Sequence, residues 1–171
     1  TVIEDCLGIA NVINIGCSLW STDKLDFISE IDTSDKNGKY CIINSSNPIK
    51  GTQEAIAFCN KNNLDYELIG PLPERELLEK LAKYDFFVFI PHVLETLSRV
   101  VVEAKMLNCK VLTSKKLIGA ASEPWYDLMG TDLVRTIRGR VEAAINTFVN
   151  LLKDDTITVI LNCYRRPENL E

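Results

Sequence analysis

The sequence predicts an α/β domain, doubly wound around a mostly parallel sheet. Three observations predict it. From Lys39 onward, short apolar runs alternate with stretches whose apolar residues fall at helical spacing. The connections between them are short. One run, Phe86–Ile90 (FFVFI), is apolar at every position, as a strand buried on both faces at the centre of such a sheet should be. Taken in order, Lys39–Asn44 (KYCIIN) reads as the first strand. Gly51–Asn63 carries Ala55, Ile56, Phe58 and Cys59 on one helical face. Leu64–Gly70 alternates like a strand. Pro73–Tyr84 reads as a helix opened by Pro73, with Leu77, Leu78 and Leu81 turned inward. After Phe86–Ile90, Ser98–Leu107 reads as helix, Cys109–Thr113 as strand, Asp132–Thr136 as a further strand and Val141–Leu152 as an amphipathic helix. Residues 1–38 read as irregular, with a short strand at Asn11–Gly16 and polar, Asp-rich turns over Ser21–Gly38. At the other end Thr156–Leu161 (TITVIL) reads as a strand that opens a new unit.

A chain of 171 residues can bury one sizeable core but not two full domains and a linker. Asp and Glu total 24 against 19 Lys and Arg, giving a net charge of −5. That balance argues against a dedicated nucleic-acid binder, which shows a basic face. No apolar run approaches the roughly 20 residues of a membrane span, and no apolar signal opens the chain. The first residue is Thr1, which reads as a fragment boundary. Six cysteines stand outside any C-x-x-C pair, and the single histidine, His92, has no cysteine near it. This pattern points to reduced, mostly buried thiols in a cytoplasmic protein and to no metal site.

Chemistry is expected where strands hand over to helices, because ligands of such sheets sit at the carboxyl ends of the strands. Two junctions stand out, Asn47–Gly51 and Glu95–Arg99. A helix start offers unpaired amides and the positive end of the dipole, an anion site. Thr96 is the expected N-cap, which frees the amides of Leu97, Ser98 and Arg99 to face a phosphate. Lys50, followed by Gly51, comes off the first strand on the same edge and offers a formal charge to it. Glu103 lies deeper in the helix, where a carboxylate can accept from both vicinal hydroxyls of a ribose. Glu95 sits nearer the crevice. It can meet sugar hydroxyls or developing charge. Blander roles exist for each: Glu103 as a surface residue paired with Arg99 at i, i+4, Lys50 as a plain turn lysine, and Ser45 as part of a strand-end turn. His92 reads as a pocket-wall residue, or as an acid–base partner of Glu95.

Glu95 and Glu103 in E-x7-E spacing resemble the signature of the C-terminal domain of family 4 glycosyltransferases, which have the GT-B fold. Asp85–Pro91 resembles that family's aspartate, apolar strand and proline. Glu103-Ala104 resembles its Glu-Ala helix, and Asn108–Ser114 the strand after it. Asn47–Gly51 resembles its lysine-glycine turn, Glu67–Gly70 its strand ending in glycine, and Asn11–Ser18 its linker segment. The likeness spans roughly residues 10–152. It implies a Rossmann-like donor domain over 39–153, the C-terminal half of a GT-B fold, with 1–38 as interdomain linker and approach to the domain. It implies a UDP- or GDP-sugar as substrate, no cofactor or metal, and retention of anomeric configuration. It assigns Lys50 to the diphosphate, Glu103 to the ribose, Glu95 to the donor sugar and the amides after Glu95 to phosphate. A glycan acceptor would come through an N-terminal domain that is missing here, so this chain alone would transfer sugar poorly.

Two positions depart from the family pattern. Ser45 stands where the family often has an arginine, and Ser98 where its helix opens with glycine. Loss of that arginine removes a bidentate phosphate ligand. Thr158–Leu170 resembles the opening strand and loop of family 2 glycosyltransferases, so 154–171 reads as the start of a truncated second transferase domain. Two other classes compete. One is a non-catalytic scaffold or docking module, favoured by Ser45. The other is a glycosidase using Glu95 and Glu103, disfavoured because no second acid stands on a facing strand. A dinucleotide enzyme is disfavoured because no G-x-G-x-x-G follows a strand.

Overall fold

The computed structural model describes residues 13–153. Four strands, β1 (Tyr40–Ile43), β2 (Tyr66–Ile69), β3 (Phe86–Val88) and β4 (Lys110–Leu112), form one sheet in the order β2-β1-β3-β4. Every neighbouring pair is parallel. Tyr40 lies opposite Tyr66 on one side and Phe86 on the other, and Phe86 lies opposite Lys110. Parallel neighbours need crossovers, and helices supply them. Helix α2 (Thr52–Lys61) links β1 to β2, α3 (Glu74–Leu81) links β2 to β3, and α4 (Arg99–Met106) links β3 to β4. Helix α1 (Thr22–Glu30) precedes the sheet and α5 (Gly130–Lys153) follows it. This is the predicted α/β class, with all four strands ending on one edge.

Alternation along the strands splits the core in two. Cys41, Ile69, Phe87 and Phe89 face Leu78 and Leu81 of α3 and Val101, Val102 and Ala104 of α4. Trp20, Leu25 and Ile28 join them from the amino-terminal side, and Leu133, Ile137 and Val141 from α5. Ile42 and Val88 point the other way, against Ala55 and Cys59 of α2. The apolar run at β3 is thus explained: Phe87 and Val88 lie in opposite cores.

Several expectations need correction. Residues 22–30 are helical rather than turns. Ser21 caps α1, its Oγ accepting from the Lys24 amide at 3.3 Å, and Asp23 sits in the first turn. Only Leu25 and Ile28 are buried on it, so its apolar signal is short and its Asp and Ser content dominates a local reading. Asp132–Thr136 is not a strand but part of α5. Leu133, Val134, Ile137, Val141 and Ala144 line one face of a single 24-residue helix. The adjacent Leu133-Val134 pair fits either period in a short window, and only the longer window shows the helical one. Residues 13–16 form no strand. Residues 11 and 12, the run Thr156–Leu161 and the segment Thr158–Leu170 lie outside the described residues. Among the described residues no helix is long and apolar enough to cross a membrane.

Cys17, Cys41, Cys59 and Cys109 are free and buried. Burial pushes the Cys109 thiol up to about 11 despite nearby Lys36, and pushes Cys41 further still. The thiolate is the reactive form, so these four should be inert at neutral pH. Alkylation of the native protein, mapped by peptide mass spectrometry, should leave them unmodified, and unfolding should expose them. Labelling of Cys41 or Cys109 in the folded protein would contradict this.

Candidate functional site

The site is assembled where β1 and β3 end. After β1, Asn47 Oδ1 accepts from the Ile49 amide at 3.1 Å, and Pro48 starts a single 3-10 turn over Pro48–Lys50. Gly51 closes that turn in the left-handed region, with φ of 66°. It backs directly onto the loop after β3: a Cβ placed there would lie 1.6 Å from the Ile90 carbonyl oxygen. The His92 amide donates to the Ile49 carbonyl at 3.0 Å and ties the same two loops together. Clamped this way, Lys50 reaches Glu95, Nζ to Oε1 being 2.8 Å. Glu95 is fixed from behind by strand-like pairing with Ile118. Its amide donates to Leu117 O at 2.9 Å, and its carbonyl accepts from Gly119 N at 2.7 Å. Two of the sequence candidates are therefore in direct contact.

Thr96 does not cap the helix that follows. The pairing of Glu95 keeps the chain off a helical path, and α4 starts only at Arg99. The Thr96 carbonyl instead lies over Gly119, where a Cβ would stand 1.6 Å from it. The cap is Ser98, at φ 55° and ψ 77°, and its side chain makes no capping bond. An N-cap hydroxyl reaches the N2 or N3 amide from extended backbone, and the left-handed geometry turns it away. Ser98 Oγ is left buried without a partner. Among the described residues no acceptor meets the amides of Leu97, Ser98 and Arg99. The amides that lead into α4 are thus unpaired, in the segment that Glu95 opens.

Glu103 lies one turn into α4 and is buried. Its Oε1 accepts from Trp20 Nε1 at 2.9 Å, lies 2.6 Å from Lys24 Nζ and is 3.7 Å from Arg99 Nε. The Arg99 guanidinium stands 5.5 Å above the Trp20 ring. The local i, i+4 pairing with Arg99 therefore exists but is the longest of the three. Trp20 and Lys24 were not legible as site residues. The only signal for them is Ser21 as a cap before the inward Leu25 and Ile28. Lys24 also meets Glu74 Oε1 at 2.5 Å, and this contact holds the Glu74 carboxyl below its ordinary 4.5. A depressed folded-state value means that Glu74 stabilises the fold above 4.5 and loses that contribution as pH falls through the lowered value. A carboxyl NMR titration should show Glu74 below its ordinary value in the native chain and returned toward it in Lys24→Met. An unchanged Glu74 titration in the variant would contradict this.

A cavity of about 340 Å³ opens beside the Lys50 turn, lined by Ser45, Ser46, Thr52, Gln53, Glu54 and His92. His92 is a wall of it, and Nε2 lies 2.9 Å from Glu54 Oε1. The histidine that could have served Glu95 as an acid–base partner is instead seated over the first turn of α2, where Glu54 projects. Ser45 Oγ accepts from the Asn47 amide at 3.2 Å, an ordinary strand-end turn. Among the described residues no three His, Cys, Asp or Glu side chains are gathered to hold a metal ion. Compared with known proteins, the chain matches no family model and no curated protein.

Proposed function

We propose that this chain is the nucleotide-sugar donor-binding domain of a retaining glycosyltransferase of the GT-B type, one that transfers a hexosyl unit to a glycan or other acceptor. The observation that carries the reading is the convergence at the sheet edge: Lys50 against Glu95 at 2.8 Å, beside the unpaired amides of Leu97, Ser98 and Arg99. In this reading the donor pyrophosphate sits on those amides and takes charge from Lys50. Glu103 meets the ribose, and Glu95 faces the donor sugar, where a carboxylate can stabilise positive charge developing at the anomeric carbon. Lys50 and the helix dipole favour departure of the nucleoside diphosphate. UDP and GDP are the test ligands. Isothermal titration should detect at least one of them, and Lys50→Ala and Glu103→Ala should each weaken it by about tenfold, the worth of one charged hydrogen bond. No heat from either nucleotide at millimolar concentration, with Glu103→Ala no different, would end the reading.

A second reading, a non-catalytic scaffold within a larger transferase, is favoured by Ser45. Its hydroxyl is turned into the Asn47 amide and supplies no charge where the related enzymes often place an arginine. A longer protein that kept full activity with both Lys50→Ala and Glu95→Ala would support it.

A further inference from the structure

We infer that Trp20 and Lys24 are positioning residues for Glu103, and that they leave this carboxylate a single oxygen with which to read one ribose hydroxyl. The inference rests on the donor-binding reading above. A glutamate side chain on a helix is long and free to turn, and an unheld carboxylate would accept from both hydroxyls of a ribose at once. Glu103 is not free. Its Oε1 is already engaged: the Trp20 indole N–H donates to it at 2.9 Å, and the Lys24 ammonium stands against the same oxygen as an ion pair at 2.6 Å. Arg99 adds its charge from 3.7 Å.

The two partners are themselves fixed. Trp20 is sealed in the main core, and the Lys24 side chain is only 10% exposed and anchored on its far side by Glu74 of α3. Glu74, Lys24 and Glu103 therefore tie α3, α1 and α4 into one network, and rotation of Glu103 would break a buried ion pair. The oxygen left for ligand is Oε2. A site of this kind tells the two ribose hydroxyls apart, because only one of them can donate to Oε2.

The test uses UDP, 2′-deoxy-UDP and 3′-deoxy-UDP, with the corresponding GDP set, titrated calorimetrically into the full chain. For the wild type, loss of one hydroxyl should weaken binding about tenfold and loss of the other by less than about twofold. Lys24→Met removes the cation that covers Oε1 and frees the rotation of Glu103, so the two deoxy analogues should come within about twofold of each other, and Lys24→Arg should restore the difference. A merely structural Lys24 would lower all three affinities together and leave their ratio unchanged. Should Lys24→Met fail to fold, Trp20→Phe removes the indole donor and is held to the same ratio. Equal losses for both deoxy analogues in the wild type, or an unchanged ratio in the variant, would overturn the inference while leaving the donor reading intact. Identical binding of all three ligands by Glu103→Gln and wild type would overturn the inference, and no heat from any of these nucleotides at millimolar concentration would overturn the donor reading with it.

Discussion

Gly51→Ala is expected to destabilise the domain by about 3 kcal/mol and to abolish ligand binding in the molecules that still fold. Two effects add. The residue sits at φ +66°, where an alanine is disfavoured by about 1 kcal/mol or more. A Cβ there would also lie 1.6 Å from the Ile90 oxygen and 2.6 Å from its carbonyl carbon. Both are backbone atoms, so one loop must retreat from the other. That retreat separates Lys50 from Glu95, because the same two loops carry them. Gly38 provides the control. Its φ is +73° but a Cβ would meet nothing within 4 Å, so Gly38→Ala should show the conformational cost alone, about 1 kcal/mol. Urea unfolding of both variants measures the difference. A Gly51→Ala chain within about 0.5 kcal/mol of wild type would show that the loops are not locked together.

Lys36→Met should cost about 2–3 kcal/mol, a large effect for a half-buried residue outside the regular elements. The Lys36 ammonium donates to three carbonyls, Ala82, Tyr84 and Leu107, each at 2.9 Å. Ala82 and Leu107 are the C-caps of α3 and α4. Helix ends of this kind carry unpaired carbonyls and the negative pole of the dipole, so one cation satisfies two of them at once. Methionine keeps the length and apolar stem but takes the ammonium from all three oxygens, of which Tyr84 O keeps only the weak Cys109 thiol donor at 3.1 Å. The same ammonium is 3.9 Å from Cys109 Sγ and lowers its thiol value, so the variant should also titrate Cys109 higher than about 11. Thermal and urea unfolding test the first effect. Stability equal to wild type would show that water replaces the ammonium without loss.

The sheet and its crossover helices were legible because each has a local signature. FFVFI reads as a strand buried on both faces, and β3 lies within it over Phe86–Val88; Leu77, Leu78 and Leu81 mark one helical side. The candidate residues at the strand ends followed from the same logic, since the topology sends every parallel strand to one edge. What escaped was non-local. Trp20 reaches Glu103 across 83 positions and Lys36 reaches Leu107 across 71, and no local period records such pairings. Thr96 illustrates the opposite failure. Its residue type suits an N-cap, but the bridge between Glu95 and Ile118 overrides that preference and moves the helix start to Arg99. His92 was legible as a pocket wall, whereas its partner Glu54 was not, because the contact depends on how α2 is seated beside the β3 loop.

The most direct measurement of the central claim is a ¹H–¹⁵N NMR titration of the chain with UDP and GDP. The account predicts that one nucleotide moves the amides of Leu97, Ser98 and Arg99 and the signals of Lys50 and Gly51, and that Trp20 Nε1–H shifts with them through Glu103. Perturbations confined to another surface, or none at millimolar nucleotide, would contradict it.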